Sequence, residues 1–110
     1  MENGRTVYEG WVFGIGEWAF SKIHKLLENA FETVSYTYQD KTGAVFVSGP
    51  SAMFEDDMEN MTSVFDLLAD VIEENGHGTV LGRRWTSDGA LELAAYDFGS
   101  KNWNRRELAA

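Results

Sequence analysis

Residues 6–31 read TVYEGWVFGIGEWAFSKIHKLLENAF, and a change of rhythm inside them decides the fold class. Over 6–15 the residues are β-branched and aromatic, with Trp11, Phe13 and Ile15 on one face of a period-two pattern, which reads as a strand. Glycines at 10, 14 and 16 punctuate that strand and end it. From 17 to 33 the apolar residues Phe20, Ile23, Leu27, Ala30 and Phe31 recur at threes and fours, the spacing of a helix with one buried stripe. A strand feeding an amphipathic helix requires a second layer to cover both.

Working outward, 35–39 alternates again, and Asp40-Lys41-Thr42-Gly43 connects it to a returning strand at 44–48, stopped by Pro50. A second helix is predicted over 57–74. Asp56 stands as its N-cap, Glu59 sits in capping-box position, and Asn75-Gly76 supplies a C-terminal stop. Strands at 79–85 and 91–98 form a last hairpin across 86–90. The tail, 99–110, is polar and mildly basic, carries no strong element signal and has the composition of a flexible end. The expected order is β-α-β-β-α-β-β: one α+β domain with a single, mostly antiparallel sheet and both helices on one face. A ferredoxin-like arrangement with an extra C-terminal strand is its simplest topology. Ile23, Leu27, Phe31, Phe65, Leu68 and Ile72 are expected between the layers.

The 110 residues suffice for one core, and 44% apolar with 14% aromatic content is enough to fill it. Cysteine is absent, which excludes disulfides, thiolate zinc sites and cysteine nucleophiles. No signal-peptide pattern opens the sequence and no apolar run is long enough to span a bilayer, so a cytoplasmic setting is expected. A net charge of −9 disfavours direct contact with nucleic acid or anionic membranes and favours a basic protein partner.

That charge is concentrated. Segment 54–75 holds eight of the 18 acidic residues and no Lys or Arg, and so carries −8 of the net −9. On a helical wheel, Phe54, Met58, Met61, Phe65, Leu68 and Ile72 form one apolar stripe, with Val64 and Val71 at its edge. Glu55, Asp56, Glu59, Asp66, Asp70, Glu73 and Glu74 lie opposite, and Asp57 alone falls in the stripe, in the first turn. Ordinary solvated helices mix signs four residues apart. Here Glu73 and Glu74 also fall in a last turn where the helix dipole disfavours them. Two accounts stand side by side: an anionic face for a cationic partner, or a solubilising surface.

Other residues carry weaker signals. If the first helix includes Trp18, its ring is exposed or stacked on Lys22, which suits a contact surface. The expected placement is ahead of the first regular turn, folded back on the sheet end. Gly14-Ile15-Gly16 lacks the remaining residues of a dinucleotide fingerprint or a P-loop, so a strand-ending turn is expected. His24 lies one turn from Glu28 as a surface pair, and His77 lies in a loop. Neither has metal-ligand or triad spacing, and the acidic run at 55–59 lacks a calcium-loop pattern.

No cofactor, metal or catalytic constellation is expected. The leading expectation is a non-enzymatic acidic protein that occupies a basic surface, as inhibitors of nucleic-acid-binding effectors do. Phage anti-defence proteins and nuclease-immunity proteins are such inhibitors. Candidate contacts are Glu55, Asp56, Glu59, Asp66, Asp70, Glu73, Glu74 and Trp18. The alternative is an assembly module forming a homodimer through a sheet edge.

Overall fold

A computed structural model of the chain describes residues 6–50 and 58–108. Strand β1 (Thr6–Ile15) leads into helix α1 (Glu17–Ala30), the hairpin β2 (Thr33–Gln39) and β3 (Thr42–Pro50), then helix α2 (Met58–Asp70). Three strands follow: β4 (Ile72–Trp85), β5 (Leu91–Gly99) and β6 (Asn102–Leu108). The fold is α+β, a six-stranded antiparallel sheet with two helices, in strand order β2-β3-β1-β4-β5-β6. Five strands were expected. The sixth arises in 102–108, where the polar segment pairs from Gly99↔Asn102 to Leu93↔Leu108 along β5. Its sequence holds no β-branched residue, so the pairing and not local propensity makes it a strand.

Local chemistry explains most boundaries. The β2–β3 turn places Asp40 and Lys41 at φ 51° and 66°, the positive values that tight hairpins require. Chain direction reverses between β4 and β5 through Thr86, whose amide donates to the Ala90 carbonyl at 2.8 Å and whose hydroxyl bonds Asp88. Helix α1 stops at Ala30 because Phe31, already extended, still donates its amide to Leu27 at 2.9 Å and turns its ring into the core.

Both helices lie on one face of the sheet and share one core with it. Ile23, Leu27 and Ala30 from α1 and Met61, Val64, Phe65, Leu68 and Ala69 from α2 meet Tyr8, Val12, Val45, Val47, Val80, Tyr96 and Phe98 from the strands. All six expected core residues are buried, Leu68 to 1% exposure and Phe65 and Leu27 to 0%. Around Phe65 the rings of Tyr96, Phe98 and Trp103 stand edge-on at 5.0–5.2 Å, a geometry that aromatic quadrupoles favour.

Two further expectations fail for physical reasons. Trp11 and Phe13 do not share a face with Ile15. Gly14 adopts φ 89°, the β1–β4 register shifts between Phe13 and Ile15, and Ile15 swings back to the core side. Nor does the second helix reach residue 74. It ends at Asp70, where the β5–β6 turn caps it: the Lys101 amide donates to the Ala69 carbonyl at 3.0 Å and the Lys101 ammonium to the Asp70 carbonyl at 3.3 Å. The Ser100 hydroxyl adds a bond to Ile72 O at 3.0 Å.

Candidate functional site

Among the described residues, the acids expected on one helix face are divided between α2 and β4. Glu55 and Asp56, with the capping box they imply, lie outside the described residues. Glu59 projects outward from the first turn of α2. Asp66 accepts a 2.7 Å hydrogen bond from the Trp103 indole, and Asp70 lies 3.7 Å from the Lys101 ammonium, so both help hold the C-terminal strand. Glu73 and Glu74 belong to β4, not to a helix end. The unfavourable dipole placement therefore disappears, and the helix C-terminus carries a cation instead. Trp18 does lie within α1. It is 78% exposed, with the Lys22 ammonium 6.0 Å from its ring centroid, and does not fold back on the sheet.

A different surface emerges on the side of the sheet that the helices leave bare. Odd-numbered residues of β1 up to Phe13 point there, and the register sets their neighbours: Trp11 beside Phe46 and Thr79, Phe13 beside Ala44 and His77, Glu9 beside Ser48 and Leu81. Trp11 stacks on Phe13 at 6.1 Å and 14°, and leans on Phe46 at 4.9 Å. Phe13 in turn touches the His77 ring at 5.8 Å. Exposure stays high despite these contacts: 43% for Trp11, 40% for Phe13, 50% for Leu81 and 46% for Trp85 farther along β4. A shallow groove of about 470 Å³ runs over this cluster, bordered by Glu9 and Thr79. On the β6 side Asp97 closes the polar edge, taking hydrogen bonds from Arg106 at 2.9 Å and Thr79 at 3.0 Å. Those two donors, Arg106 first, hold its carboxyl below the usual carboxylate range.

At the end of β1 the groove meets a second hollow. Between His77, opposite Phe13, and Ile72, opposite Ile15, β4 makes a detour through 73–76, with Asn75 at φ 72°. The backbones crowd there: a Cβ on Gly14 would stand 2.6 Å from Gly76 Cα. The resulting crevice, about 240 Å³, is lined by Phe13–Gly16, Lys41–Gly43 and Glu73–His77, and so shares Phe13 and His77 with the groove. Tyr36 donates to the carbonyl of Ile15, one of its lining residues, at 2.6 Å. Desolvation chiefly, then the negative charge of Glu17, with Tyr38 and Glu73 after it, raises the pKa of that phenol above its ordinary value.

No family model matches the chain, and no curated protein or solved structure does.

Chemically, the bare face offers stacking planes and apolar area, and the crevice offers carboxylates. Among the described residues no group of three or more His, Asp or Glu side chains converges as a metal site, and no helix is long and apolar enough to cross a membrane. His24 bonds Glu28 at 3.2 Å as a surface pair, whereas His77 sits in β4 against Phe13 and not in a loop. Trp11 and Phe13 are visible in the sequence, but Tyr8 and Val12 make the opposite face of β1 apolar as well, so the pattern alone does not say which face the helices leave bare.

Proposed function

We propose that this protein is a non-enzymatic, cytoplasmic binding module that docks on a basic protein surface, with the bare side of its sheet as the contact. One observation carries the reading: Trp11, Phe13, Phe46 and Leu81 form a continuous aromatic and apolar patch on the face opposite the helices, and three of the four are at least 40% exposed. Such patches are unfavourable in water unless something covers them, and tryptophan and other aromatics dominate binding hot spots. The net charge of −9 selects a basic partner by steering encounter. An inhibitor that neutralises a nuclease or another nucleic-acid-binding effector, as a phage anti-defence or immunity protein does, would need this combination. The antiparallel order β2-β3-β1-β4 under two helices further supports a ferredoxin-like unit, onto which β5 and β6 are added.

The test is capture of partners from the native host with wild-type protein and a Trp11→Ala, Leu81→Ala double variant, at low and high salt. The double variant is expected to lose the partner while keeping its circular dichroism spectrum, and salt is expected to weaken capture by the wild type. Unchanged capture by the double variant would place the contact elsewhere.

A second reading, a homodimer through a sheet edge, is favoured by β2. That edge strand, Thr33–Gln39, carries no charge and no proline to discourage pairing, whereas the other edge, β6, bears Arg105, Arg106 and Glu107. Light scattering on the purified protein separates the readings: a dimer that a Thr37→Lys variant dissolves supports the edge.

A further inference from the structure

Resting on the reading that the bare sheet face is a protein contact, we propose that this surface recognises arginine. An extended basic segment of the partner lies in the groove along Trp11 and Phe13 and seats a guanidinium in the crevice between Gly14 and the 73–76 detour.

Three observations carry this. The groove and the crevice adjoin, with Phe13 and His77 lining both, so a single chain segment can reach both. Their walls hold the carboxylates of Glu9, Glu73 and Glu74, with Lys41 as the one permanent cation. None of these three carboxylates has an ion-pair or side-chain hydrogen-bond partner among the described residues, unlike Asp66, Asp70 and Asp97. The aromatic planes leading to the acids then choose between cations. Guanidinium is flat, weakly hydrated, stacks on rings and bridges carboxylates in two-pronged fashion; an ammonium ion does none of these as well. Stacked planes with acids at their end therefore fit arginine better than lysine. Nucleobases could stack on the same rings, but the acidic walls repel a phosphate backbone.

The experiment titrates isotope-labelled protein with four probes and follows its amide NMR spectrum and tryptophan fluorescence. The probes are the blocked peptide Gly-Arg-Gly-Arg-Gly, its lysine and glutamate counterparts, and a single-stranded oligothymidylate. The arginine peptide is expected to move the amides of Phe13, Gly14, Gly76 and His77 and the Trp11 indole, and to bind more tightly than the lysine peptide. In a Glu73→Gln, Glu74→Gln variant that binding should weaken about tenfold. No response to the arginine peptide at millimolar concentration, an equal response to the glutamate peptide, or tighter binding of oligothymidylate would each overturn the proposal. The two levels separate cleanly. If Trp11→Ala with Leu81→Ala abolishes partner capture while Glu73→Gln with Glu74→Gln leaves it untouched, the contact face stands and arginine recognition falls.

Discussion

Gly14 and Gly89 share nearly the same backbone, φ 89° and 87°, yet they sit in opposite surroundings. A Cβ at Gly14 would collide with Gly76, while one at Gly89 would meet nothing within 4 Å. Both substitutions to alanine incur the left-handed backbone cost, about 1 kcal/mol each. Only Gly14→Ala must also push β1 and β4 apart, so it should destabilise by about 2 kcal/mol or more. Urea midpoints of the two variants measure the difference, and equal midpoints would mean that the close approach carries no weight. Leu68, 1% exposed, sets the scale for ordinary core loss: Leu68→Ala should cost about 2–5 kcal/mol in the same assay.

Elements owe their limits to partners far along the chain. Helix α2 ends where Lys101 arrives, and β6 is held by Asp66 through Trp103 and by Asp97 through Arg106. The sign of the pH response follows from Asp97. Its pKa is lowered in the folded state, so its contribution is complete above the usual carboxylate range and vanishes as pH falls through the folded value. Hydrogen-exchange protection of β6 amides should therefore drop as pH falls below the usual carboxylate range, before the central strands lose theirs. An Asp97→Asn variant should lack that step; an unchanged step would assign it to another carboxylate. Local pattern reached α1 and its stripe because one amphipathic helix states its own phase. It could not reach the end of α2, whose stop signal is a turn thirty-one residues on, nor β6, whose polar run becomes a strand only beside β5. The aromatic site was half legible. The residues were visible, but β1 is apolar on both faces, and nothing local says which face the helices take.

At the scale of the whole molecule, two layers create two unlike exteriors, a helical side and an aromatic sheet side. The acids of segment 54–75 are correspondingly divided in role. Glu59→Lys with Glu73→Lys should fold normally and slow association with a basic partner about tenfold at low salt. Asp66→Lys with Asp70→Lys should instead lower the melting temperature, because it removes the Trp103 hydrogen bond and repels Lys101. Stopped-flow association rates and thermal melts distinguish the pairs. If the second pair leaves the melt unchanged, those two aspartates are surface charge and nothing more.

The position of β1 in the sheet also has a consequence for synthesis. On the ribosome β1 emerges before β3 and β4, yet it occupies an interior place between them, with Val7 opposite Pro50 on one side and Arg83 on the other. Neither ladder can close until those distant residues have been translated, and pairings so remote in sequence make for slow folding. Throughout that interval the nascent chain displays Trp11, Phe13 and two open strand edges to its surroundings, the kind of surface that chaperones hold and that aggregates in their absence. Folding of this topology is therefore a late event, begun in earnest only when β4 has left the exit tunnel.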